Sequence, residues 1–386
     1  MTSENKLPPL VIGNLEIPIP IIQGGMGIRI STAPLVSAVS NNGGMGILAS
    51  VTLGESEPDF KTNYVEANSR ALRKEIRKIK EMTDRPFGVN IMCMLSDYES
   101  LVEVCKEEKI ASIFSGAGLP STLPGLLHGV DIKKIPIVSS AKAANLICKI
   151  WDKKYSTIPD ALVVEGPKAG GHLGFKMEQL NQYNNDDEKR TSTIDLDHIL
   201  KDVLKIIIKF EEKHNRKIPV IAAGGIFNGQ DIARVMNFGV SGVQMGTRFV
   251  CTEECDVSDT FKQAYINSTK GDIKIIMSPL GYPGRVIMNP FMKRTLEIDK
   301  IRTACSFRCI KNCKADKVNF CIAKALLAAQ KGNMEDGLVF CGENAYRITE
   351  IITVPELMQE LVNEAEKYYK QQPVSLKIPS TDKPSS

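Results

Sequence analysis

The feature that most restricts this chain is a repeat. Eight short apolar runs, separated by longer amphipathic stretches, follow one another through the first two thirds of the sequence: Ile19–Gln23, Gly46–Ala49, Phe87–Asn90, Ala111–Ser115, Ile135–Ser139, Ala161–Glu165, Val220–Ala223 and Gly242–Met245. Each is rich in Val, Ile or Ala and carries no charge before its last residue, as strands do in a parallel sheet covered on both faces. The stretches between them carry helix boundaries. Thr32 precedes a helix expected to open at Pro34 and close before Gly43, and Asn228 precedes one closing before Gly239.

Eight such units predict an α/β fold, a (β/α)8 TIM barrel, with its working site where the C-terminal ends of the strands meet the following loops. The alternative is an open doubly wound sheet, which gathers its phosphate loop after the first strand. Glycines here follow nearly every run instead. Two stretches break the repeat. Asn181 to Thr193 is polar and Asn/Asp-rich and reads as a loop insertion between the sixth strand and the sixth helix. From Thr269 the repeat has ended, leaving a C-terminal helical extension with helical patterns at Asn319–Gln330 and Pro355–Lys370. The expected division is a barrel over 1–268, a Cys-containing helical extension packed on it over 269–370, and a flexible tail over 371–386.

Composition removes other classes. A hydrophobic fraction of 43% and a charged fraction of 24% exclude disorder. A net charge of +4 from 49 basic and 45 acidic residues is too balanced to imply nucleic acid as a partner. The densest basic stretch, Arg70 to Lys80, includes Glu75 and sets Leu72, Ile76 and Ile79 at helical spacing, so it reads as an amphipathic barrel helix. Met1 to Leu10 holds no signal-like apolar core, and no run approaches the ~20 residues that span a bilayer. The expectation is a cytoplasmic protein without a membrane partner, acting on a small molecule as a monomer or homodimer, with its ten cysteines reduced.

The chemistry concentrates in three places. After the seventh run stand Gly224 and Gly225, and after the eighth stand Gly246 and Thr247. Either pair alone makes a tight turn. Together, at the two loops where this fold commonly binds phosphate, they predict a cradle of backbone amides with Thr247 adding a hydroxyl donor. After the sixth run comes Val163-Val-Glu-Gly-Pro-Lys-Ala-Gly-Gly-His-Leu-Gly174, in which glycines let the chain bend over a flat ligand and leave His172 exposed at the rim. Its ordinary pKa suits proton abstraction near neutrality, whereas His128, His198 and His214 fall in or near helices. After the first run, Gly24, Gly25 and Met26 offer backbone to an aromatic ring system. The similar Gly43-Gly-Met-Gly46 reads as a helix C-cap and turn into the second strand.

With these residues in view, the chain resembles the nitronate monooxygenase (2-nitropropane dioxygenase) family, which includes FMN-dependent enoyl-[acyl-carrier-protein] reductases and quinone reductases. The motifs QGGMG, FGVN, AGGH, AAGGI and QMGT carry the resemblance over roughly 18–249. It implies FMN as cofactor, with its phosphate on Gly225, Gly246 and Thr247 supported by Gly224, Gln244 and Met245. It further implies that Asn90, Glu165, Gly170, Gly171 and the Gly24–Met26 backbone address the ring and ribityl chain, and that His172 is the catalytic base or orienting group. The implied activity is oxidation of alkyl nitronates by oxygen. The alternative is an NAD(P)H-dependent reductase of enoyl thioesters or quinones, and a third reading is a non-catalytic flavin- or cluster-binding protein.

Two departures stand out. Lys168 replaces an acidic residue common before AGGH and is expected to point into water. Glu165 stands where relatives often carry glutamine, and an ionised carboxylate there would disfavour negative charge on the flavin. The late cysteines Cys305, Cys309, Cys313, Cys321 and Cys341 lack a paired C-x2-C and are expected to be thiols rather than metal ligands.

Overall fold

The computed structural model describes residues 6–185, 192–297, 305, 307–311, 313–314 and 316–370. Eight parallel strands close into a barrel: β3 (Ile21–Gln23), β4 (Met45–Ala49), β5 (Gly88–Asn90), β6 (Ser112–Ser115), β7 (Lys133–Val138), β8 (Leu162–Glu165), β10 (Val220–Ala223) and β11 (Gly242–Met245). The last pairs with the first, Gln244 opposite Ile22, so no edge is left open. All eight expected runs are barrel strands. The boundaries differ by at most two residues, at β3, which starts late on Ile21, and at β7, which starts early on Lys133 and Lys134. Their ammonium groups pair with Asp131 and Asp160, so these charges join the strand without being stranded in the core.

Alternate residues of the strands fill the interior: Ile22, Met45, Ile47, Phe114, Ile135, Val163 and Ile221. The same cluster takes in Leu10, Ile12 and Ile17 from an N-terminal hairpin, β1 (Leu10–Ile12) and β2 (Leu15–Ile17), which plugs the end of the barrel where the strands begin. Burial of each such side chain contributes about 1.5–3 kcal/mol.

Around the strands run α1 (Ala33–Asn41), α2 (Tyr64–Met82), α3 (Tyr98–Glu107), α4 (Leu123–Leu126), α5 (Ala141–Tyr155), α7 (Leu196–His214) and α8 (Gly229–Met236). Thr32 is the N-cap of α1, but its hydroxyl donates to Asp256 at 2.6 Å instead of capping. Asn228 caps α8 as expected, accepting from the Asp231 amide at 3.0 Å. Helix α2 contains the basic stretch; it buries Leu72, Ile76 and Ile79 and turns Arg70, Arg73 and Arg77 to neighbouring carboxylates.

Three features differ from the sequence reading. The expected loop insertion begins as a helix, α6 (Met177–Asn185), because Leu180 and Tyr183 bury one face beside Leu173 and Ile194; residues 186–191 lie outside the described residues. The C-terminal extension is not only helical. After α9 (Thr247–Val250) and α10 (Asp259–Ile266) it forms an antiparallel hairpin, β12 (Ile273–Met277) and β13 (Pro283–Ile287), and then α11 (Pro290–Glu297) and α12 (Ile322–Gln330). The last helix, α13 (Val354–Tyr368), packs between α8 and α1 and so takes the eighth place in the ring. Glu364 accepts from the Gly229 amide at 2.7 Å at that junction. The expected tail over 371–386 falls outside the described residues.

Candidate active site

The candidate residues lie where the strands end. Gly24 follows β3 and donates to the Met245 carbonyl at 2.9 Å. A Cβ on Gly24 would stand 3.0 Å from the Gln244 side chain, one on Gly25 would stand 2.5 Å from Cβ of Asn90, and one on Gly246 would stand 3.2 Å from Sδ of Met26. These three close approaches bring the first, third and eighth strand ends together at one rim. A β-carbon at Gly25 would drive into Asn90, so glycine there is set by space.

The two expected phosphate loops close on the segment after β8. Gly224 and Gly225 have φ of +92° and +85°, the left-handed region that favours glycine. A Cβ on Gly225 would stand 2.8 Å from Cβ of Lys168, and one on Gly224 would stand 2.9 Å from the Gly166 carbonyl oxygen. Across the gap, the Thr247 hydroxyl accepts from the Gly342 amide at 3.2 Å, and the Asn344 amide group donates to the Gly225 carbonyl at 3.0 Å. Gly342 and Asn344 therefore tie the two loops to each other. The amides of Gly225, Gly246 and Thr247 donate to no group among the described residues. Grouped backbone donors of this kind suit an anion.

His172 sits in a two-residue strand, β9 (Gly171–His172), that joins the hairpin as its third strand, with His172 opposite Gly284. Its Nε2 lies 2.9 Å from the Ser278 hydroxyl, and its ring meets Phe340 edge-on at 5.1 Å and Tyr282 at 6.3 Å. The imidazole is half-buried, not exposed as its loop position had implied. Burial pushes it down to about 4, so it is neutral at physiological pH and a weaker base than its ordinary pKa promised. Ser278 also accepts from the Leu280 amide at 3.3 Å. That bond uses one of the two lone pairs of the hydroxyl, which can donate to Nε2 or accept from it.

The loop that carries His172 is held by Arg285. This guanidinium is 3% exposed, donates to the carbonyls of Pro167 at 2.9 Å and Ala169 at 2.6 Å, and lies 3.4 Å from the Glu343 carboxylate. Gly170 follows directly, and a Cβ there would stand 2.9 Å from the Cys341 backbone. Lys168, expected to point into water, is half-buried: its stem lies over Gly225 and its ammonium stands 4.0 Å from Glu343. Glu165, at the end of β8, is pushed up to about 7 by burial. It is not the fully ionised group that a carboxylate at this position would otherwise be.

The remaining histidines stay apart from this rim. His214 ends α7 and contacts Asp152 at 2.7 Å, His198 lies in α7, and His128 follows α4. A surface concavity of about 520 Å³ lined by His128, Lys134 and Lys154 opens where helices end and strands begin. That is the face opposite the one that carries function in barrels of this type. Ser278, Tyr282, Arg285, Phe340, Gly342 and Asn344 were not foreseen. They lie more than 100 residues after His172, beyond the repeat, and no local spacing links them to it.

A closed parallel barrel, glycine-built loops with unpaired amides after its seventh and eighth strands, and an imidazole held on the same face place one candidate site at the rim of a β/α-barrel enzyme. The chain belongs to the nitronate monooxygenase family, whose model matches residues 9–111 and 96–364, a family of flavin oxidoreductases on this barrel fold. It is 29% identical over 325 residues to a protein of Staphylococcus aureus described as a probable nitronate monooxygenase, covering 76% of this chain and 81% of that one. It is 30% identical over 275 residues to (3aS,4S,5R,7aS)-5-hydroxy-7a-methyl-1-oxo-octahydro-1H-indene-4-carboxyl-CoA dehydrogenase of Mycobacterium tuberculosis, covering 71% of this chain. The match spans only 64% of the length of that relative. Among solved structures, FabK from Thermotoga maritima superimposes with a TM-score of 0.69 at 29% identity, over 91% of this chain and 94% of that one. A nitroalkane oxidase of Streptomyces ansochromogenes, at 20% identity and a TM-score of 0.68, covers 91% of this chain and 97% of that one and shares the fold. No helix among the described residues is long and apolar enough to cross a membrane.

Proposed function

We propose that this chain is an FMN-dependent nitronate monooxygenase that oxidises alkyl nitronates with oxygen. The observation that carries the reading is the state of His172, a neutral imidazole braced by Ser278 beside the glycine loops. A nitronate is already an anion and needs no strong base. A neutral ring carries one N–H, which can donate to a nitro oxygen and hold the substrate in line. With its pKa at about 4, the imidazole would be ill matched to deprotonating a nitroalkane, so His172 acts here as an orienting group.

The residues present fit FMN. Gly225, Gly246 and Thr247 would hold the phosphate through amides that have no other partner, supported by Gly224, Gln244 and Met245. Gly24, Gly25, Met26, Asn90, Glu165, Gly170 and Gly171 would line the ring and ribityl chain. When bound, the flavin supplies electron acceptance and reactivity toward oxygen. Glu165, with its proton retained to about pH 7, keeps negative charge away from the ring over the acid half of the physiological range. Phe340 and Tyr282 shield one side of the imidazole from water.

The similarity to FabK over nine tenths of the chain favours one other reading, an NAD(P)H-dependent FMN reductase of enoyl thioesters or quinones. Anaerobic mixing separates the two. In the monooxygenase reading, propionate-3-nitronate bleaches the flavin rapidly and consumes oxygen without added nicotinamide. Rapid bleaching by NADH or NADPH with no reaction toward nitronate would overturn it in favour of the reductase.

A further inference from the structure

The anion cradle is built from backbone amides, and amides are neutral. Those of Gly225, Gly246 and Thr247 have no other acceptor among the described residues, yet a phosphate monoester carries a charge of about −1.5 to −2 at neutral pH. None of the three residues has a charged side chain. Compensating charge has to come from a neighbour.

Four cations stand close to these loops, and three are committed. Arg285 donates to the Pro167 and Ala169 carbonyls from a buried position. Arg248 binds both carboxylate oxygens of Glu360, at 3.1 and 2.9 Å, and the Phe227 carbonyl at 3.2 Å. Arg347 is stacked on the Phe227 ring at 4.2 Å. Lys168 is placed differently. The three heavy atoms nearest to a Cβ built on Gly225 all belong to its side chain: Cβ at 2.8 Å, Cδ at 2.9 Å and Cγ at 3.4 Å. The stem of this lysine therefore lies directly on a cradle glycine.

The Lys168 ammonium is also loosely engaged. Its carboxylate contact is with Glu343 at 4.0 Å, and that same carboxylate lies nearer to Arg285, at 3.4 Å. One acid between two cations leaves a positive charge in excess beside the cradle. The backbone beneath Lys168 is fixed: Arg285 holds the carbonyls on either side of it, and its own carbonyl accepts from the Glu343 amide at 3.2 Å. Part of the ordering that an anion contact requires is thus already made before the anion arrives.

We infer that Lys168 is a further cofactor-binding residue, whose ammonium supplies the cation that the neutral cradle lacks and makes the site prefer a phosphorylated flavin to riboflavin. The inference rests on the FMN reading and deepens it by naming what compensates the phosphate charge. It reverses the outward-pointing role expected of this lysine from its hydration alone.

The test is equilibrium dialysis of the full chain against FMN and, separately, riboflavin, for wild type, Lys168→Met and Lys168→Arg. Lys168→Met keeps the stem over Gly225 and removes only the charge. Its Kd for FMN is expected to rise about tenfold, between the effect of an exposed ion pair and that of a buried charged hydrogen bond, while its Kd for riboflavin and its melting temperature stay at the wild-type values. Lys168→Arg should recover most of the FMN affinity, and added salt should weaken FMN binding less steeply in Lys168→Met than in wild type. Unchanged FMN affinity in Lys168→Met overturns the inference and leaves the FMN reading standing. An equal loss for FMN and riboflavin also overturns it, since that is the result of a packing role. A wild-type chain that binds neither flavin overturns the FMN reading and this inference with it.

Discussion

Removing the guanidinium of Arg285 tests whether the His172 loop is held from a distance. In Arg285→Leu the carbonyls of Pro167 and Ala169 lose donors at 2.9 and 2.6 Å, and Glu343 loses a cation at 3.4 Å. A bond from a charged donor is worth about 1.5–3 kcal/mol, and breaking a buried ion pair by removing one partner costs about 3–5 kcal/mol. Glu343 is 25% exposed and recovers some solvation, so the expected loss is about 3–5 kcal/mol in urea unfolding. Turnover should fall with it, because the freed loop no longer presents His172 against Ser278. Arg285→Lys keeps the charge but not the fork that reaches both carbonyls, and should fall between the two in stability and in kcat. Urea stability and kcat both unchanged in Arg285→Leu would refute the reasoning. Lost stability with undiminished kcat would refute the part that concerns His172.

Other perturbations separate cofactor binding, catalysis and protonation. Gly246→Asp should release FMN, since the added carboxylate sets negative charge against the phosphate and its β-carbon meets Met26; undiminished flavin affinity in equilibrium dialysis would count against the cradle. His172→Ala should stay yellow and lose most turnover; wild-type turnover should show no His172-dependent limb near pH 6.5, and a limb there that His172→Gln removed would refute the neutral imidazole. The Glu165 carboxyl, raised by burial in the folded state from its ordinary 4.5 to about 7, contributes stability that is complete below about pH 4.5 and lost as pH rises through 7. Glu165→Gln should therefore gain stability over wild type at pH 8, by at most about 3 kcal/mol, and show no gain at pH 4. A constant difference across that range in urea titrations would mean that Glu165 ionises normally.

The barrel was legible because its signals are local. Each strand is a run without interior charge, and the glycines at 224–225 and 246 stand directly after two of them, so fold and cradle follow from neighbours in sequence. The same holds for Gly25, where the motif placed a glycine and the space beside Asn90 allows nothing larger. The protonation states were not legible in this way. His172 and Glu165 have ordinary pKa values in isolation, and what shifts them is burial by side chains remote in sequence, Phe340 and Tyr282 in the case of His172. The position of α13 was hidden for a related reason. Its apolar face repeats every helical turn and fixes a helix, but the slot between α8 and α1 that receives it is set by the chain returning from a long excursion.

That excursion, from the end of α9 to the start of α13, is where this chain departs from a generic barrel. It delivers Ser278 to the imidazole, Arg285 to the carbonyls behind it, Phe340 to its face, and Gly342 and Asn344 to the two glycine loops. The eight β/α units can build an anion-binding rim unaided, since every amide in it comes from a barrel loop. They cannot set the basicity, tautomer or position of His172, because each group that does so lies beyond β11. Substrate choice should therefore respond to changes around Ser278 and Tyr282 while cofactor affinity does not, and the reverse should hold at Gly225 and Gly246. The two sets meet at Gly342 to Asn344, whose contacts reach Thr247, Gly225 and, through Glu343, the buried guanidinium, and again at Gly166 to Ala169, which Arg285 holds and Gly224 and Gly225 approach. A disturbance at either is expected to move cofactor binding and turnover together.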